Sequence, residues 1–136
     1  MPIELRPATA DDIDDVLSLW REATQPSSTD SVETLSALVR RDPGALIVAE
    51  ADGHIVGSVI AGWDGWRGAI YRLAVHPSQR RRGLGQSLLR AAEDRLAGLG
   101  ARRMHAIVVE TNDDGVGFWT ASDWGHQAGQ LRFAKG

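Results

Sequence analysis

The stretch AVHPSQRRRGLGQSLL, Ala74–Leu89, decides how the chain is read. Its start closes an apolar run, AIYRLAV (Ala69–Val75), of strand character. Its end opens an amphipathic segment in which Leu84, Leu88, Leu89, Ala92 and Leu96 share one helical face, up to the stop signal Gly100. Between them stand Arg80, Arg81 and Arg82, at the place where a helix carries partial positive charge and favours acidic or hydroxyl caps. Gly83 and Gly85 occupy the cap region instead. Without a side-chain cap, backbone N–H groups are left for a ligand, and glycine lets that ligand approach closely. Guanidinium groups beside such amides make charge-assisted bonds to phosphate oxygens. The stretch therefore reads as an anion cradle where a strand gives way to a helix, the place where α/β folds form ligand crevices. It is not the dinucleotide fingerprint, whose third glycine would fall at Leu88, and no Gly-Lys-Ser/Thr follows as a P-loop requires.

Upstream, Ile3–Arg6 is a short β run, and Ile13, Val16, Leu17 and Trp20 mark a helix entered through the capping pair Thr9 and Asp12. After the polar loop QPSSTD (Gln25–Asp30), Val32, Leu35, Leu38 and Val39 predict a second helix, with Asp30 and Glu33 as cap residues and a stop at Asp42–Gly44. ALIVAEA and HIVGSVIAGW, joined at Asp52-Gly53, form a hairpin; DGWRG then leads into Ala69–Val75, which extends it to an antiparallel meander. Downstream of the long helix, Met104–Glu110 is a fifth strand, and a helical crossover from the fourth makes those two parallel. A short helix over Asp113–Ala121 and a last strand within HQAGQLRFA (His126–Ala134) complete the order β-α-α-β-β-β-α-β-α-β. That is a single α/β domain over residues 1–136 with a mixed, mostly antiparallel sheet.

The chain has 136 residues, 43% hydrophobic and 24% charged, the balance of a globular domain, and no run approaches the roughly 18 apolar residues of a membrane span. Its opening, MPIELRPATADD, lacks the basic and apolar regions of a secretory signal, so the cytoplasm is the expected compartment. Fifteen Lys and Arg against 18 Asp and Glu give a net charge of −3, which argues for a local anion site and against a nucleic-acid footprint. With no cysteine, disulfides and an acyl-cysteine intermediate are excluded, and His105 and His126 lack metal-ligand spacing.

The quoted stretch resembles the acyl-CoA signature of the GNAT superfamily of N-acyltransferases, Gln/Arg-x-x-Gly-x-Gly/Ala after a Val-x-Pro-like strand end, here Arg80, Gly83 and Gly85. The element order is similar along nearly the whole chain. NDDGVGFWTASDW (Asn112–Trp124) resembles the family's C-terminal segment, and residues 45–68 resemble a small bacterial subgroup of unassigned substrate. The resemblance implies splayed parallel fourth and fifth strands, acetyl-CoA as co-substrate, no metal and an amine acceptor on a small molecule or protein; it leaves a homodimer open. It implies that Arg80, Arg81, Arg82, Gly83, Leu84, Gly85, Gln86 and Ser87 hold the pyrophosphate. Pantetheine would lie along Leu73, Ala74 and Val75 as an added strand. Asn112 would bond its amide from the other side, with Phe118 and Trp119 near the sulfur.

The family transfers the acyl group directly, with a fourth-strand N–H at the oxyanion and usually a tyrosine acid seven residues after the asparagine. Here that residue is Trp119, whose indole N–H cannot be released as a proton. Tyr71, the only tyrosine, is a substitute acid or base, or a sheet-face residue. Glu110 leads as general base, followed by Glu50, His54, Asp64 and His76. Trp63 and Trp66, flanking Asp64, suggest an aromatic, acidic pocket for an amine cation. Two other readings remain: a non-catalytic acyl-CoA sensor, favoured by Trp119 and by Asp123-Trp124 where the family has Gly-Phe, and a nucleic-acid-binding domain using Arg80–Arg82.

Overall fold

The structure, a computed structural model, describes residues 2–107 and 113–136. It separates into two compact units, Met1–Ala106 and Ile107–Gly136.

The first unit is a sheet in the order β1-β2-β3-β4-β5 with helices α1, α2 and α3. β1 (Glu4–Pro7), β2 (Leu46–Ala51), β3 (His54–Trp63) and β4 (Gly68–Val75) pair antiparallel in turn. β5 (Met104–Ala106) joins β4 in parallel, with Gly68, Ala69 and Ile70 opposite Met104, His105 and Ala106. The right-handed return needed for a parallel pair is made by α3 (Leu84–Leu99).

α1 (Ile13–Ala23) buries Ile13, Val16, Leu17, Leu19 and Trp20 in a cluster with Leu46, Val48, Ile60 and Ala74. α2 (Val32–Arg41) contributes Leu35 to that core. Val32, counted in the expected apolar face, is exposed. Nor do Asp30 and Glu33 cap α2: Ser31 Oγ accepts from Thr34 N–H at 3.1 Å, while Asp30 is turned to Arg72. A hydroxyl one residue later in the chain reaches the second-turn amide, which frees the carboxylate for a long-range ion pair.

α3 rests on the other face of the sheet, and two glycines permit the contact. A Cβ at Gly57 would come within 2.9 Å of Leu88 and one at Gly68 within 2.7 Å of Leu96. Leu88, Leu89, Ala92 and Leu96 are all nearly sealed from solvent there. α3 ends at Gly100, whose φ of 108° lets Gly100 and Ala101 donate back to Ala97 and Leu96.

In the second unit α4 (Asp113–Ala121) is followed by turn and irregular backbone to Gly136. The last strand expected within His126–Ala134 is therefore absent among the described residues. Gly129 takes a left-handed φ of 83° in the middle of the segment, and Leu131 and Phe133 are exposed at 83% and 90%. Two apolar residues do not bury enough surface to offset the ordering of a strand. Trp119 packs edge-on against Trp124, ring centroids 4.7 Å apart, and against Phe118 at 5.7 Å.

Entry to α1 is fixed by charge. Arg6 on β1 donates to both Asp12 oxygens, at 2.8 and 2.9 Å, and to Glu50 on β2. Asp12 also accepts from Thr9 N–H at 2.8 Å, as its capping role anticipates. The Arg6 hydrogen bonds, outweighing burial, pull the Asp12 carboxyl down to about 2 from 3.8. A carboxyl whose pKa is depressed on folding stabilises the fold above its unfolded value and loses that contribution as pH falls toward its folded one. Stability should thus decline between about pH 4 and 2. Asp12→Asn should flatten that decline and cost on the order of 1–2 kcal/mol at neutral pH, read by urea unfolding across pH.

Candidate functional site

The strand-to-helix passage is built in short, fixed steps. His76 N–H donates to Val56 O at 2.8 Å as β4 ends, and His76 Nδ1 accepts from Ser78 N–H at 3.1 Å, capping a 3-10 turn over Pro77–Gln79. His76 Nε2 meets Glu22 of α1 at 2.8 Å, which ties this turn to the helix beneath it. Arg80 follows with its Nε 3.4 Å from Val75 O.

Arg81 and Gly83 then adopt left-handed backbone, φ 64° and 82°. Left-handed residues alternating with ordinary ones are how a loop gathers successive N–H groups into an anion-binding concavity. Gly83 is the N-cap of α3 and supplies no side-chain cap. The first closing bond is Ser87 N–H to Gly83 O at 3.1 Å, doubled by Ser87 Oγ to the same carbonyl. Among the described residues no group accepts from the N–H of Arg81, Arg82, Gly83, Leu84 or Gly85. Arg80, Arg81 and Arg82 are exposed and have no carboxylate partner among the described residues. A Cβ at Gly83 would meet nothing within 4 Å, so the space in front of these amides is open. Leu84 faces inward, buried, and anchors the loop to the sheet.

β4 itself carries an irregularity that periodicity did not reveal. Ser58 pairs with Ala74 and Ile60 with Tyr71, so Arg72 and Leu73 together stand opposite Val59. This is a β-bulge, and Arg72 takes a left-handed φ of 51°. For a residue bearing Cβ that conformation costs roughly 1–2 kcal/mol. It is held in place on both sides: Ser58 Oγ–H donates to Arg72 O at 2.9 Å, and the Arg72 guanidinium pairs with Asp30 and donates to Gln25 O at 3.0 Å. The signal in the sequence was a charged residue in the centre of an apolar strand. Beyond the pairs Gly68–Met104, Ala69–His105 and Ile70–Ala106, β4 continues through Tyr71, Arg72, Leu73, Ala74 and Val75. Of these Ala74 is buried, Leu73 and Val75 half-buried, and Tyr71 is 54% exposed with its ring against Gly62, at 3.2 Å from the position of a Cβ there.

The remaining predicted residues scatter. Glu110 and Asn112 lie outside the described residues. Phe118 and Trp119 lie on α4 in the second unit, where both are half-buried. Among the other base candidates, Glu50 is engaged by Arg6 and His76 by Glu22, whereas His54 is exposed on β3. The acidic pocket expected from Trp63, Asp64 and Trp66 is not what the chain builds. Asp64 Oδ1 accepts from the N–H groups of Arg67 and Trp66, at 2.7 and 2.8 Å, and these bonds pull its pKa down. The cavity of about 440 Å³ beside both tryptophans is lined by Arg67, Arg102 and Arg103 and lies at the C-terminal end of α3, with Leu99 and Gly100 in its wall. Asp64 Oδ1 is committed to closing its own turn, and the arginines that line the cavity repel an amine cation.

Residues 13–124 match the Acetyltransferase (GNAT) family. An acetyltransferase of Pectobacterium atrosepticum is 35% identical over 119 residues, 86% of this chain and 84% of that one. The PaiA N-acetyltransferase of Thermoplasma acidophilum, solved in complex with coenzyme A, superposes with a TM-score of 0.80 at 20% identity, covering 89% of this chain and 88% of that one. The aminoglycoside 6′-N-acetyltransferase AAC(6′)-IG of Acinetobacter haemolyticus gives 0.80 at 17% identity, over 98% of each chain. An open cradle at the head of α3, a bulged β4 and a parallel β5 thus occur in a chain that belongs to the GNAT acetyltransferase family.

Proposed function

We propose that the protein moves the acetyl group of acetyl-CoA to a primary amine by direct attack, as a single N-acetyltransferase domain spanning both units. The observation that carries the donor is the head of α3: amides without acceptors, behind exposed arginines without carboxylates, in open space. A diphosphate supplies what that arrangement lacks. It accepts from Gly83, Leu84 and Gly85 N–H, gains the favourable end of the helix dipole, and relieves the repulsion among Arg80, Arg81 and Arg82. Gln86 and Ser87, on the first turn, line the same approach.

From the cradle the pantetheine arm runs back along β4, using the main chain of Leu73 and Val75 as an added strand would. Asn112 is assigned to the far side of that arm and Phe118 and Trp119 to the thioester end, on the resemblance alone. The acceptor nitrogen, as free base, attacks the thioester carbon. Its lone pair forms the C–N bond, the carbonyl oxygen becomes an oxyanion facing a β4 N–H, and collapse breaks the C–S bond to release coenzyme A as thiolate. The amine proton leaves to a base, for which Glu110 is assigned; Tyr71, exposed on the sheet, is assigned the proton exchange with the sulfur. The acceptor is a small molecule or a protein amine, as the N-acetyltransferase and aminoglycoside acetyltransferase neighbours suggest by analogy.

Calorimetry with acetyl-CoA and release of free thiol over a panel of spermidine, an aminoglycoside and a lysine peptide test this reading. Binding with turnover is expected. Binding without turnover, with activity gained in Trp119→Tyr, would make the protein a sensor. Gly83→Asp should weaken acetyl-CoA binding more than tenfold, about 1.4 kcal/mol, because its carboxylate occupies the anion's place. Gly83→Asn, which also tolerates left-handed backbone, should lose less; equal affinities for wild type and Gly83→Asp would remove the cradle.

A further inference from the structure

Three features of the first unit outlast the account above: the cationic cavity beside Trp66, the His76–Glu22–Ser78 contacts, and the polar line that runs through the core from α1 to β4. The last is carried furthest by the geometry. Trp20 Nε1–H donates to Ser58 Oγ at 2.8 Å, and Ser58 Oγ–H donates to Arg72 O at 2.9 Å. Ser58 is completely buried and Trp20 is 3% exposed. A hydroxyl sealed in a core of Leu, Val and Ile is expensive unless both its donor and its acceptor capacity are used, and here both are. What it holds is the carbonyl of the one β4 residue with left-handed backbone.

The Arg72 side chain is bound as firmly. Its Nε donates to Asp30 Oδ1 at 3.0 Å, its other nitrogens reach Asp30 Oδ2 and Gln25 O, and its guanidinium lies 5.2 Å from the centre of the Trp20 ring. Trp20 therefore touches Arg72 twice, through Ser58 to the carbonyl and through its ring face to the cation. Both the carbonyl and the side chain of Arg72 are therefore held, and a bulge leaves its extra residue out of the ladder.

We infer that Ser58 and Trp20 are positioning residues for acetyl transfer, fixing the Arg72–Leu73 bulge so that an N–H of the bulge faces the oxyanion. This rests on the proposed use of β4. In the acetyl-CoA ground state the thioester oxygen carries little charge, so a misaimed N–H is felt in the transition state and barely in binding. Ser58→Ala should lower kcat at least tenfold in the amine-panel assay, with the acetyl-CoA Kd within about threefold of wild type. Trp20→Phe keeps an aromatic ring, though a smaller one, and Ser58 but removes the donor that orients the hydroxyl, and should give a smaller loss of the same kind. Ser58→Thr, which keeps the hydroxyl, should recover most of kcat.

Unchanged kcat in a folded Ser58→Ala would overturn the assignment. So would kcat, acetyl-CoA affinity and melting temperature falling together without recovery in Ser58→Thr, since that pattern belongs to a support for the fold alone. Should Ser58→Ala fail to fold, Trp20→Phe decides by the same split between kcat and Kd. A wild-type protein that binds no acetyl-CoA sinks the functional reading itself, a result separable from either outcome in the variants.

Discussion

The close seating of α3 on the sheet is the contact that the rest of the molecule depends on. Leu84 and Leu88 lie over Gly57 and Leu96 over Gly68, at separations that no side chain on those strands would allow. Because β3 and β4 are fixed to one another by their ladder, this contact sets where the head of α3 stands relative to the end of β4. The arginine loop has only the residues between Val75 and Leu84 in which to cross that gap, and it spends them on a capped 3-10 turn and two left-handed positions. The cradle is thus a consequence of packing two turns away, where a hydrophobic contact dictates the place at which polar groups are left without partners.

β4 keeps its ladder with β3, the pairing that closes the meander, on both sides of an extra residue. The bulge turns the backbone without breaking the pairs on either side. Its cost is the left-handed Arg72, and β3, α1 and the loop after α1 offset that cost with one buried hydroxyl, one indole and one ion pair. Trp20 is for this reason more than core: its ring fills the space under β4 while its N–H reaches across β3.

Much of this was legible from the residues. Helical spacing named the buried face of α3, the Asp52-Gly53 turn placed the hairpin, and the crossover predicted the parallel pair, because each follows from local periodicity and chain connectivity. The uncapped head of α3 behind exposed arginines was legible for a related reason: three arginines before a helix without a capping side chain contradict helix electrostatics, and contradictions of that kind point to candidate sites. What periodicity hid was long-range. Nothing near Asp30 shows that it pairs with a strand 42 residues on, and nothing in HIVGSVIAGW shows that its serine is the buried end of a line from α1. The expected acidic pocket was misread on the same ground, since Asp64 Oδ1 closes its own turn and Arg102 and Arg103 reach the cavity beside Trp66 from beyond the end of α3. The strand expected near the C-terminus failed for a local reason, a left-handed glycine between too few apolar residues.

The replacement of the expected tyrosine by Trp119 bears on what the chemistry requires. General acid assistance is worth about 10²- to 10⁴-fold, and it matters most where the departing group is a poor one. A thiol with a pKa near 8.5 departs as thiolate far more readily than an amine or alkoxide would. On the proposed direct transfer, the larger demands are then to deliver the amine unprotonated and to bear charge on the carbonyl oxygen. Trp119, packed edge-on against Trp124, supplies no acid, and on that proposal a reaction whose leaving group is a thiolate can spare one.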